Sequence, residues 1–309
     1  MQRPRILVIR GGAIGDFILT LPAIKLLREN FPQAHLEILG YKHIIALAEN
    51  RYYADATRSI EYAALSRFFA PGAELPPDLV EYFASFAQII SYLYDPDGFF
   101  EQNVLRCGVK NFLHVSPKLD DSAHAAQQLA QPLERLALFL EGNAATLHPS
   151  EADRAAAAQL LPEASRVAAL HPGSGSERKN WPLENWRTLG EALLTREGLR
   201  LLLVGGEADR PALTALQAAW KNQPVLFAQD LPLPHLAATL EKCALFIGHD
   251  SGISHIAAAA GVPCVLLFGP TDPDIWAPAN PAVTVLRGPD GALDKLPVEA
   301  VLAAVSSRA

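Results

Sequence analysis

The 309 residues, 50% hydrophobic and 19% charged, are enough for one large or two medium domains with buried cores. A formal charge of −7 argues against a nucleic-acid partner, whose affinity rests on a basic surface. No apolar run approaches the roughly 18 residues of a membrane helix, and the three scattered cysteines show neither disulfide nor zinc spacing.

The apolar run Ile6-Leu7-Val8-Ile9 predicts a buried first strand that starts almost at the N-terminus. That leaves no room for a signal peptide, and the expected location is the cytoplasm. A glycine turn, Gly11-Gly12-Ala13-Ile14-Gly15, follows, then Asp16 and a helix predicted over Leu19 to Asn30, closed by Phe31-Pro32. A second strand is predicted over His35 to Gly40, so the segment is a βαβ unit with a parallel sheet. Such glycine turns normally bring backbone N–H groups to a phosphate. Asp16 contradicts that use, because a carboxylate there repels a phosphate.

Residues 41–147 carry most of the tyrosines and phenylalanines, Pro-Gly and Pro-Pro breaks between 71 and 77, and the aromatic and acidic stretch SYLYDPDGFF. A helix over Ala123 to Glu141, ended by Gly142-Asn143, is expected to close this half. Ser150, with Asp153 three residues on, then predicts the N-cap of an alanine-rich helix within HPSEADRAAAAQLLPEA. Beyond it the strand pattern restarts. Apolar strands over Val167–Leu170, Leu199–Val204, Ala244–Ile247 and Val265–Phe268 each run into a polar, glycine-bearing loop. Four such strands describe a second parallel sheet, and in these sheets ligands bind outside the carboxyl ends of the strands. The expected architecture is α/β, with Rossmann-like domains over 1–148 and 149–309 and a ligand cleft between them. Cys243 and Cys264 lie in apolar segments and read as small core residues.

Four of these loops, ILVIRGGAIGDFILTLPAI, HPGSGSERKNWP, LLVGGEADR and FIGHDSGISHIAAAAGVPCVLLFGPTDPDIWAP, resemble in order and spacing the family 9 glycosyltransferases. These are the heptosyltransferases of the inner core of lipopolysaccharide. The resemblance covers the first forty residues and most of 167–278, and is loose over 41–147. It implies the GT-B fold, two Rossmann-like parallel-sheet domains facing across a cleft. It also implies an inverting transfer of heptose from ADP-heptose onto a glycolipid or lipopolysaccharide-core saccharide. Asp16 matches the aspartate that acts as general base toward the acceptor, with Gly11, Gly12 and Gly15 forming the acceptor-side loop. A helix dipole favours an anion in this place. The simpler role for Asp16, a helix cap, is compatible with that one.

Displacing a nucleoside diphosphate requires cations and preorganised donors at the phosphates. By the resemblance Lys179 and Ser174 contact the donor diphosphate, within a compact turn that includes Gly175. Asp250, expected to cap the following helix, is placed around the nucleotide sugar together with Ser251, Gly252 and His255. Glu207 matches a glutamate that accepts from ribose hydroxyls, against the plainer reading of a carboxylate at a helix start. His171 is a weak candidate, the role of His249 is open, and Trp181-Pro182 is expected only to pack the loop. The Asp-x-Asp pairs Asp95/Asp97 and Asp272/Asp274 sit among prolines or glycine and read as turns, so no metal and no cofactor is expected beyond the donor substrate.

Two rival readings are a sugar-nucleotide epimerase of the same fold and a non-catalytic nucleotide-sugar-binding module. The first needs further acid and base residues; the second leaves Asp16 and Lys179 without a task. Arg58, Arg67, Arg106, Lys110 and Lys118 are candidates for acceptor phosphates or for peripheral contact with the cytoplasmic face of the inner membrane, or form a mixed solvated surface.

Overall fold

The structure is a computed structural model that describes residues 3–161 and 166–307. Among these, no helix is long and apolar enough to cross a membrane. The chain divides into two compact units, Met1–Asn143 and Ala144–Ala309. The division precedes the expected junction at 148 because the intervening backbone is tied to the second unit. Leu147 N–H donates to the Ala259 carbonyl at 2.7 Å, and Asn280 Nδ2 donates to the Ala145 carbonyl at 2.8 Å.

The first unit runs β1 (Arg5–Arg10), α1 (Ile14–Asn30), β2 (His35–Gly40), α2 (Lys42–Ile45), β3 (Ala56–Ser59), α3 (Pro77–Ala84), β4 (Gln88–Ser91), α4 (Phe99–Arg106), β5 (Phe112–His114) and α5 (Ala125–Ala130). Its five strands lie in the order β3-β2-β1-β4-β5, all parallel. Leu7, Val8 and Ile9 are fully buried, as the central strand of a sheet covered on both faces must be. Phenylalanines of the stretch that resisted sequence reading form much of this core, with Phe68 and Phe83 ring centroids 4.8 Å apart and Phe83 and Phe100 6.1 Å apart.

Two expectations for this unit are corrected. Helix α1 begins at Ile14, not Leu19, because only Gly11 and Gly12 are needed for the turn; Gly15 lies inside the first helical turn. The helix expected over Ala123–Glu141 is the short α5 followed by a 3₁₀ turn, Gln131–Leu136. Pro132 has no N–H with which to continue the α ladder, and Ala137 turns left-handed at φ 58°.

The second unit runs α6 (Glu151–Leu160), β6 (Arg166–His171), α7 (Leu183–Leu194), β7 (Leu199–Gly205), α8 (Arg210–Ala219), β8 (Val225–Gln229), α9 (Leu233–Glu241), β9 (Leu245–His249), α10 (Gly252–Ala259), β10 (Cys264–Phe268), α11 (Pro273–Trp276), β11 (Val283–Arg287) and α12 (Val298–Ser306). Ser150 caps α6 as expected, accepting from Asp153 N–H at 3.2 Å while Asp153 accepts from Ser150 N–H at 2.7 Å. Residues 162–164 of the alanine-rich segment lie outside the described residues. The six parallel strands are ordered β11-β10-β9-β6-β7-β8. The four expected strands form the centre, and β8 and β11 add half-buried edges with weaker apolar signals. Cys107, Cys243 and Cys264 are all buried thiols.

Candidate active site

In both sheets the strand order reverses beside the first strand of the unit, between β1 and β4 and between β6 and β9. The carboxyl ends at such a reversal are where α/β sheets bind ligands.

In the first unit this place holds the glycine turn. Gly12 takes φ +93°, and a Cβ on Gly11 would stand 3.2 Å from Leu93 Cδ2, just after β4. Asp16, in the first turn of α1, folds its carboxylate back over the loop, where it accepts the Ala13 N–H at 2.8 Å. A Cβ on Gly12 would sit 2.6 Å from that same oxygen. The turn therefore serves an internal anion. Its carboxylate satisfies the N–H that a phosphate would use, yet the Asp16 side chain remains 39% exposed. One carboxylate thus caps the helix start and stays open to solvent.

Arg10, the last residue of β1, escaped sequence reading. Its guanidinium is buried, donates to the Asp16 carbonyl at 3.2 Å and to Thr20 Oγ at 2.9 Å, and stands 3.6 Å from the Asp16 carboxylate. Burial pulls it below its ordinary value, while Asp16 and then Tyr92 act in the opposite sense. The visible signal was an arginine ending a strand otherwise apolar from Ile6, four residues after it.

In the second unit the loop after β6 and the start of α10 meet at the reversal. Lys179 Nζ lies 2.5 Å from Asp250 Oδ2, and the Asp250 side chain is only 9% exposed. Asp250 was expected to cap α10. Ser251 does so instead, its Oγ accepting from Ser254 N–H at 3.4 Å, because the Asp250 carboxylate is turned to Lys179. Gly252 opens the helix, and His255 is buried one turn along it. Ser174 organises the loop from within, its Oγ lying 2.8 Å from the Ser176 carbonyl and 2.6 Å from Asn180 Oδ1 as donor, and Gly175 bends it at φ +73°.

Two histidines at the ends of neighbouring strands support this loop. His249 Nε2 accepts the Trp181 N–H at 2.8 Å and its Nδ1 donates to the Gly173 carbonyl at 3.1 Å. Burial pushes its pKa down to about 3, so the ring is neutral. Trp181 packs edge-on against Trp186 at 5.5 Å and donates Nε1–H to the Leu296 carbonyl at 2.9 Å, the packing role expected of it. His171 Nε2 lies 3.3 Å from Asp209 Oδ2, and its Nδ1 lies 3.3 Å from Ser251 Oγ. Glu207 is exposed at the start of the turn after β7; the carboxylate that accepts the Gly206 N–H, at 2.9 Å, is Asp209. Asp209 is thus a second residue that sequence reading missed.

Six of the remaining charged candidates have local uses. Asp95 accepts from Phe100 and Glu101 N–H at the start of α4, and Asp272 accepts from Asp274 N–H at the start of α11. Arg58 stacks over Tyr82 at 4.2 Å, Arg106 donates to the Ala73 carbonyl at 3.0 Å, and Lys118 donates to Tyr94 Oη at 3.0 Å. Arg67 reaches only a loop carbonyl, that of Glu74, at 3.4 Å. Among the described residues no group of three or more His, Cys, Asp or Glu is placed to hold a metal ion.

Two Rossmann-like units of this topology define the GT-B fold of nucleotide-sugar glycosyltransferases. The sequence profile of "Glycosyltransferase family 9 (heptosyltransferase)" matches residues 122–302, and the chain belongs to that family. The lipooligosaccharide heptosyltransferase 2 of Haemophilus influenzae is 30% identical over 122 residues, 38% of this chain but 35% of that relative's length. The lipopolysaccharide heptosyltransferase 3 of Escherichia coli is 26% identical over 293 residues, 85% of this chain and 83% of its own. Among solved structures, that of the E. coli heptosyltransferase WaaC with ADP superposes with a TM-score of 0.75 at 18% identity, covering 99% of this chain and 100% of that one.

Proposed function

We propose that the protein is an inverting, metal-independent heptosyltransferase. It would transfer a heptose from ADP-heptose onto a saccharide of the lipopolysaccharide core, with Asp16 as general base. The carrying observation is the convergence, at the strand reversal of the second sheet, of Lys179, the hydroxyl turn at Ser174 and the N-terminus of α10. These supply the cation and the backbone N–H donors that a departing diphosphate needs. The solved relative bound to ADP supports the nucleotide. Asp16 takes the proton of the acceptor hydroxyl as its oxygen attacks the anomeric carbon. The bond from that carbon to the diphosphate oxygen breaks, and its electron pair leaves with the nucleotide. One carboxylate fits a single displacement; a covalent route requires a second carboxylate as nucleophile.

The test is purified protein with ADP-heptose and a heptose-deficient core glycolipid, followed by ADP release and the mass of the glycolipid. Gain of one heptose with stoichiometric ADP, unchanged by EDTA, is expected. Failure with ADP-heptose but transfer from another nucleotide sugar would replace the donor; activity abolished by EDTA and restored by magnesium would replace the metal-free scheme.

A further inference from the structure

His171 has no part in the scheme above, yet it is buried at the end of β6 with both ring nitrogens engaged by side chains of two other loops. On one side stands Asp209, from the turn after β7. Its carboxylate accepts the Gly206 N–H at 2.9 Å and packs so closely on the β6 loop that a Cβ at Gly173 would lie 1.6 Å from its second oxygen. Burial opposes ionisation of Asp209, but the hydrogen bonds from His171 and Gly206 and the nearby imidazoles outweigh it, and the carboxyl lies below its usual range. A carboxylate can only accept, so His171 Nε2 carries a hydrogen. On the other side stands Ser251 Oγ, at the opening of α10.

The hydroxyl has one proton and several places to put it. Ser254 Oγ donates to the His249 carbonyl, so its own proton is committed. Ser251 Oγ lies 3.2 Å from Ser254 Oγ and 3.3 Å from His171 Nδ1. With a neutral His171, Nδ1 is a bare acceptor and takes the Ser251 proton, turning the hydroxyl lone pairs toward any incoming anion. With a doubly protonated His171, Nδ1–H donates to Ser251 Oγ, and the Ser251 O–H is released to donate outward.

Charge points the same way. Beside His171 stand Asp209 from the β7 turn and His249 at the end of β9, while Asp250, the next residue, is paired with Lys179 of the β6 loop. His249 is neutral and Lys179 offsets Asp250, so Asp209 leaves this cluster with one uncompensated negative charge while His171 is neutral. A diphosphate at α10 meets that charge. A proton on His171 removes it.

We infer that His171 is a positioning residue for the donor diphosphate: held by Asp209, it takes up a proton as the diphosphate binds and, through Nδ1–H, frees the Ser251 hydroxyl to donate to a phosphate oxygen. This rests on the placement of the diphosphate at α10 under the proposed function. It predicts that donor binding is proton-linked, a property that a merely structural histidine would not confer.

The experiment is titration calorimetry of the full chain with ADP-glucose, whose diphosphate is a diester with no group titrating near neutrality. It is run at pH 6.5, 7.0 and 7.5 in buffers of different ionisation enthalpy. The wild type should take up a substantial fraction of one proton per nucleotide sugar bound, with affinity falling as pH rises from 6.5 to 7.5. In His171→Gln the uptake should vanish, with affinity roughly tenfold weaker at pH 7 and flat with pH. Should that variant fail to fold by circular dichroism, Asp209→Asn makes the same test, because it removes the negative charge that a proton on His171 neutralises. Uptake near zero in the wild type at all three pH values overturns the inference, as does uptake that persists unchanged in either variant. Failure of the wild type to bind either ADP-glucose or ADP instead overturns the donor assignment on which the inference stands.

Discussion

Asp16→Asn separates the cap that the carboxylate makes from the general-base role proposed for it. Asparagine keeps an oxygen that can accept the Ala13 N–H, which Asp16 now accepts at 2.8 Å, so the start of α1 survives. What the fold loses is the charge on that bond and the attraction to Arg10, 3.6 Å away. With the Asp16 side chain 39% exposed, screening discounts the ion pair. The stability cost is then about 1 kcal/mol, the difference between a charged and a neutral acceptor. What the reaction loses is its proton acceptor, which lowers turnover about 10²–10⁴-fold and raises the barrier by about 3–5 kcal/mol. The catalytic loss therefore exceeds the structural one severalfold. Thermal denaturation, calorimetry with ADP and steady-state ADP release read the three quantities separately. Turnover within about tenfold of wild type, beside a lowered melting temperature, would reduce Asp16 to a helix cap and refute the assignment.

Lys179→Ala should weaken ADP binding by roughly 1.5–3 kcal/mol, the worth of a hydrogen bond to a charged group. Because the change also strands the Asp250 carboxylate, Lys179→Ala with Asp250→Asn should bind ADP more tightly than Lys179→Ala alone; weaker binding in calorimetry would refute the pairing. Gly12→Ala places a methyl 2.6 Å from the Asp16 oxygen in a left-handed backbone, so ADP release should slow while ADP affinity holds; loss of affinity would make the turn a phosphate cradle after all. His249 binds its proton only near pH 3 in the fold but near 6.5 when unfolded, so falling pH favours the unfolded chain. At pH 5 its contribution should cost about 2 kcal/mol, and His249→Gln should flatten the decline of the melting temperature between pH 6.5 and 5.

The centres of both sheets were legible because their strands carry unbroken apolar runs, Ile6–Ile9, Val167–Leu170 and Leu245–Ile247, buried on both faces. The glycine loops were legible because they interrupt those runs abruptly. Strand β3, with the sequence ATRS, has no such run and is ordered by pairing with β2, a partner distant in sequence. The helix expected over Ala123–Glu141 failed on a single proline whose effect the apolar periodicity hid. At the candidate site, Lys179 and Asp16 were singled out through loops of recognisable spacing. Arg10 was missed because its role comes from its burial at the end of β1, which its spacing from Asp16 does not reveal; Asp209 was missed because its partner His171 comes close only when β6 and β7 pair.

His171 and His249 show why a residue's role cannot be read from its position in a strand alone. Each is a buried histidine ending a parallel strand, and the two strands are hydrogen-bonded neighbours. The difference lies in what faces their nitrogens. His249 meets one backbone acceptor, Gly173, and one backbone donor, Trp181 N–H. A second proton would set N–H against N–H, so its partners fix one neutral tautomer and the ring serves only to hold the loop. His171 meets a carboxylate and a hydroxyl. The carboxylate welcomes a positive ring, and the hydroxyl can donate or accept without moving, so the same burial that locks His249 leaves His171 with two compatible states. Backbone partners make a fastener of an imidazole; a carboxylate and a hydroxyl make it a group whose proton can answer to a ligand's charge.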